Sequence, residues 1–139
     1  MKTTGQTPKA LNDRGVIYAN FGKLDLASLD FAAATARADY APALVNLGNV
    51  ALIRNDGKGA YEAYQRAVKL TPQNAKLLAN LAKAAFSIGK TDEATANLEK
   101  VKALDPALAV QVAQTIQANS AGTRASEFDE GSEVYWIQE

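Results

Sequence analysis

Residues 44–72 read LVNLGNVALIRNDGKGAYEAYQRAVKLTP, and the return of their landmarks further along decides the fold. Leu44, Leu47, Gly48, Ala60, Tyr64, Ala67 and Pro72 are answered by Leu78, Leu81, Ala82, Ala94, Leu98, Val101 and Pro106, each 34 positions on. An earlier set, Leu11, Gly15, Tyr18, Ala27, Phe31 and Ala34, fits with one residue deleted near its end. A period of this length, filled with helix-forming residues, implies an all-α stacked array.

Apolar positions within each period fall at helical spacing, as in Leu78, Leu81 and Ala85, or Ala94, Leu98 and Val101. The expected helices are 8–21 and 24–38, then 41–54 and 58–70, then 75–88 and 91–103. Gly22, Asn55-Asp56-Gly57 and Gly89-Lys90 break the pairs. Asp25, and Thr91 or Asp92, are expected to cap second helices, and Asn74 the helix starting at Ala75. Pro72 and Pro106 are expected to stop helices and open short loops. Gly15, Gly48 and Ala82 share one repeat position, and Ala27, Ala60 and Ala94 another, which marks close helix crossings. A seventh helix at 107–119 is expected to cover the last repeat with Ala109, Val112, Ala113 and Ile116, leaving Gln111, Gln114 and Gln117 in water. The first repeat lacks a closing proline, so its junction near Asp39-Tyr40 is expected to differ.

Composition narrows the chemistry. The 139 residues include 28 alanines but neither cysteine nor histidine. Disulfides, thiolate nucleophiles, Cys/His zinc sites and imidazole acid–base schemes are therefore excluded. The formal charge is zero but unevenly placed. Residues 120–139 carry one arginine against five acids, a net −4, which leaves +4 on residues 1–119. No concentrated basic surface suggests nucleic acid. No apolar run approaches the roughly 20 residues that span a bilayer, and the opening residues do not form a signal peptide. A cytoplasmic location is the default expectation, and the opening residues read either as a cytosolic start or as the cut edge of a larger protein.

Three sets of landmarks recur together: Leu47-Gly48 with Ala60, Tyr64 and Pro72, Gly15 and Tyr18 with Ala27 and Phe31, and Leu81-Ala82 with Ala94, Leu98 and Pro106. These residues resemble the tetratricopeptide repeat signature, Leu-Gly-x2-Tyr, then Ala-x3-Phe, then Pro. The resemblance covers about 8–108. It implies a right-handed superhelical array of antiparallel helix pairs, about seven helices in all. The implied division is a flexible 1–7, repeats at about 8–40, 41–74 and 75–108, a capping helix at 107–119 within a domain of 8–119, and an acidic, aromatic tail at 120–139. The usual large aromatic opening the repeat is replaced by Leu11, Leu44 and Leu78.

In such arrays the first helix of each pair lines a concave groove that binds peptides. By position, the resemblance assigns to that groove Lys9, Asp13, Val16, Asn20, Asn46, Asn49, Ile53, Lys76, Asn80 and Lys83, with Leu52 and Phe86 deeper. Asn46 and Asn80 both donate and accept, so they suit a peptide backbone of any sequence; they read equally as solvated surface residues. A subset of the family clamps the C-terminal carboxylate of chaperones with a Lys/Asn/Asn/Lys/Arg set. Here those positions hold Asn12, Val16, Asn46, Lys76 and Asn80, and two cations are missing.

The tail places Phe128, Tyr135 and Trp136 among acids. It reads either as a short binding motif or as the remnant of a following domain. The charge split suggests that it fills the groove of its own molecule or of a neighbour. Gly89-Lys90-Thr91 lacks the glycine a phosphate loop needs at Ala84, and Asn55–Gly59 lacks calcium-loop spacing. The expected function is a non-catalytic protein-interaction module without cofactor or metal, whose partner is a protein or peptide, acidic or its own tail. The alternative is an assembly element that forms homo-oligomers or belongs to a larger polypeptide.

Overall fold

The structure is a computed structural model that describes residues 7–120 and 136–137. Its helices are α1 Pro8–Asn20, α2 Leu24–Arg37, α3 Ala41–Ile53, α4 Gly57–Leu70, α5 Ala75–Ser87, α6 Thr91–Leu104 and α7 Pro106–Ser120. No strand occurs among the described residues. Each helix end lies within one residue of the sequence expectation. α1 packs on α2, α3 on α4 and α5 on α6, and the pairs stack through α2–α3, α4–α5 and α6–α7. None of the helices is long and apolar enough to cross a membrane.

The three pairs turn by one device. Gly22, Asn55 and Gly89 occupy the same repeat position, and all have positive φ (77°, 60° and 85°). The next amide in each case reaches back five residues: Lys23 to Tyr18 at 2.8 Å, Asp56 to Ala51 at 2.7 Å and Lys90 to Ala85 at 2.8 Å. This arrangement satisfies carbonyls at the helix end. The second helix then restarts at once, so Lys23, Asp56 and Lys90 are the N-caps. Only Asp56 caps with its side chain, accepting from the Gly59 amide at 2.9 Å. Asp25, Thr91 and Asp92, expected as caps, lie inside the first turns of α2 and α6. These helices start at Leu24 and Thr91, so the cap position falls on the residues just before them, Lys23 and Lys90.

Asn74 caps α5 as expected, with the Leu77 amide 3.1 Å from its Oδ1. Pro106 does not open a loop. It is the first residue of α7, where a missing amide hydrogen costs nothing. Asp105 alone separates the two helices and accepts from the Leu108 amide at 3.1 Å. The junction between α2 and α3 has three residues, 38–40, against four at 71–74, which accommodates the missing residue of the first repeat.

Close crossings explain the small residues. A Cβ on Gly15 would stand 2.5 Å from Phe31 Cε1, and one on Gly48 would collide with the Tyr64 ring. Ala27, Ala60 and Ala94 are all buried. At the far end, Leu108, Ala109, Val112 and Ile116 of α7 pack with Leu78, Ala79 and Val101. Ala113, expected in that layer, is exposed, because it lies about 100° round the helix from Val112. The opposite end is less covered. Ile17 is 52% exposed, whereas its repeat equivalents Val50 and Ala84 are buried. Arg14 stands where later repeats have Leu47 and Leu81, and forms a two-point ion pair with Asp30 at 2.7 and 2.9 Å.

Candidate functional site

Asn46 projects from α3 and is fully buried. Its Nδ2 donates to the Ile137 carbonyl at 2.7 Å and to Asn12 Oδ1 at 2.9 Å. Its Oδ1 accepts the Ile137 amide at 2.8 Å. Asn12 on α1, also fully buried, donates a second hydrogen bond to the Ile137 carbonyl at 2.8 Å. Two carboxamides from adjacent repeats therefore hold both main-chain groups of one residue. Such groups left unpaired in a buried place would cost about 1–3 kcal/mol each.

Trp136 lies beside this clamp, against the first repeat. Its ring stacks on Phe31 with centroids 6.1 Å apart and planes at 21°. The surrounding cluster comprises Val16, Ala19, Ala27, Phe31 and Val50. Ile137 packs on the neighbouring cluster, which contains Leu44, Val45 and Tyr64. Neither residue belongs to a helix or strand.

The side chains at two equivalent positions of the paired helices change from repeat to repeat. Val16 and Phe31 are wholly apolar and share one cluster. At the next repeat Asn49, also fully buried, accepts from the Tyr64 hydroxyl at 2.5 Å. Burial pushes the Tyr64 phenol well above its ordinary value. In the third repeat the equivalent positions are Lys83 and Leu98.

The remaining groove candidates are dispersed. Lys9 and Asp13 form a 3.0 Å ion pair on the α1 surface. Asn20 is exposed and Ile53 is 38% exposed. Lys76, Asn80 and Lys83 line a cleft of about 670 Å³ between α5 and α7, together with Gln111 and Thr115. Leu52, expected to line the groove, is buried in the core beside Leu44 and Tyr64 instead. Phe128 and Tyr135 lie outside the described residues.

Phe31 was not among the candidates read from the sequence, and Asn12 entered only as a position of the carboxylate clamp whose cations are missing. A signal for Asn12 exists: its repeat equivalents are Val45 and Ala79, both buried, so a polar residue interrupts an apolar position. Phe31 reads as packing alone until Trp136 is placed on it.

No cluster of metal-ligating side chains occurs among the described residues. No curated protein matches the chain. A family model described as tetratricopeptide repeat matches residues 51–118. That match, continued toward the N-terminus by the same turn, the same small-residue crossings and the same helix pairing, shows that the chain belongs to the tetratricopeptide repeat family.

Proposed function

We propose that this chain is a non-catalytic protein-interaction module that holds an extended peptide in the groove formed by the first helices of its repeats. Membership of the family supports interaction with proteins in general. The groove reading rests on one observation: the amide and carbonyl of Ile137 both pair with Asn46, and Asn12 adds a second donor. The carboxamides grip main-chain groups only, so the clamp itself makes no contact with the clamped side chain. Val16 belongs to the groove floor in this reading, and Lys76, Asn80 and Lys83 extend it toward α7.

The test is calorimetric titration of a peptide spanning residues 131–139 into the full chain carrying Trp136→Ala and Ile137→Gly, so that its own segment does not compete, with and without Asn46→Ala. Asn46→Ala should weaken binding at least tenfold while leaving the helical circular dichroism unchanged. Equal binding by the two proteins would overturn the groove reading.

The assembly alternative has its own support in the exposure of Ile17 and Phe21 at the first-repeat end. Sedimentation equilibrium separates the readings. A monomer mass at every concentration removes the alternative, and a mass that rises with concentration favours it.

A further inference from the structure

We infer that the groove selects segments in which an aromatic residue directly precedes an aliphatic one, and that Trp136-Ile137 of the same molecule is one such segment. The inference rests on the groove reading above and adds to it the ligand's sequence and its source.

The selectivity follows from the position of the clamp. Asn46 and Asn12 fix the residue whose main chain they hold, so the preceding side chain is delivered to the first repeat. Only there are both floor residues apolar, Val16 and Phe31. The second repeat offers a carboxamide bonded to a phenol, and the third an ammonium group. An aromatic ring stacks on the bare Phe31 ring without stranding a polar group. The clamped residue itself meets the apolar cluster of the second repeat, which favours an aliphatic side chain.

The source follows from the same contacts. Both subsites are filled by residues of this chain, more than 90 positions beyond the Asn46 and Phe31 that receive them. A tethered segment needs no second molecule, so its docking is independent of concentration.

The test uses a labelled 131–139 peptide, read by fluorescence anisotropy against two full-length proteins: the natural chain, and one carrying Trp136→Ala and Ile137→Gly to disable its own segment. The peptide should bind the disabled protein at least tenfold more tightly than the natural one. Peptides carrying Trp136→Ala or Ile137→Gly should bind the disabled protein at least tenfold more weakly than the parent peptide. In the natural chain, Trp136 emission should be blue-shifted at every dilution. Val16→Asn, which imports the residue of the second repeat, should shift it to the red.

Equal affinity for the two proteins would overturn self-occupation. Equal affinity for the parent and Trp136→Ala peptides would overturn the aromatic preference while leaving the main-chain clamp intact. A blue shift lost on dilution would place the segment in a second copy and overturn docking within one molecule. Failure of every peptide to bind the disabled protein would overturn the groove reading as well.

Discussion

At the scale of single residues, the second repeat is held by an interlock of Gly48, Asn49 and Tyr64. The Tyr64 ring lies over Gly48, and its hydroxyl is tied to Asn49. The ring has little freedom to move aside, so Gly48→Ala is expected to destabilise the protein by about 1–3 kcal/mol in urea unfolding. Tyr64 also makes stability depend on alkaline pH. Its folded-state pKa lies above the ordinary 10.0 because burial disfavours the phenolate. The native state therefore keeps a proton that the unfolded state releases. Its contribution is complete below pH 10 and is lost as pH rises further, by up to about 1.4 kcal/mol per pH unit. Urea midpoints measured from pH 9 to 11 should fall, and Tyr64→Phe should flatten the fall. The glycine and aromatic positions were legible in the repeat, because their types recur. The burial of Asn46 was not, since the groups that cover it lie 91 positions away and share no periodicity with it.

At the scale of elements, the three turns set up a comparison within one molecule. Lys23, Asp56 and Lys90 have nearly the same backbone, with φ between −88° and −102° and ψ between 66° and 82°. Only Asp56 satisfies an amide of the following helix with its side chain. Lys23→Asp should therefore install a cap on α2 and stabilise the protein by about 1 kcal/mol, and Asp56→Ala should cost about 0.5–2 kcal/mol. Thermal unfolding of both variants checks this, with opposite shifts in Tm expected. The helices themselves were legible to within a residue, because apolar spacing and turn residues agree. The caps were misread in α2 and α6, because residue type pointed to Asp25, Thr91 and Asp92 whereas Lys23 and Lys90 hold the cap position. Pro106 was misread for a related reason: a proline after a helix also suits the first turn of the next one.

At the scale of the whole molecule, a stacked array gives equivalent residues different environments according to their place in the stack. Ile17 and Val50 share a repeat position, yet Ile17 is 52% exposed and Val50 is 3% exposed. Ile17→Ser is expected to change stability by no more than about 0.5 kcal/mol. Val50→Ser, which puts a hydroxyl into the core beside Phe31, is expected to cost at least about 2 kcal/mol. Chemical unfolding of the pair measures how far the first repeat depends on a neighbour. Repetition made the fold legible, but it hid the differences between repeats that give the candidate site its character. Those differences have an order: the apolar pair Val16 and Phe31, then Asn49 with Tyr64, then Lys83 and Leu98 at the equivalent positions. A surface graded in this way has a sense, like an arrow. With Trp136 on the first repeat and Ile137 on the second, the segment runs forward along the gradient. The same residues spelled backwards would set their aromatic ring toward the amide and ammonium end, so the molecule reads word order even though its clamp is blind to the letter it grips.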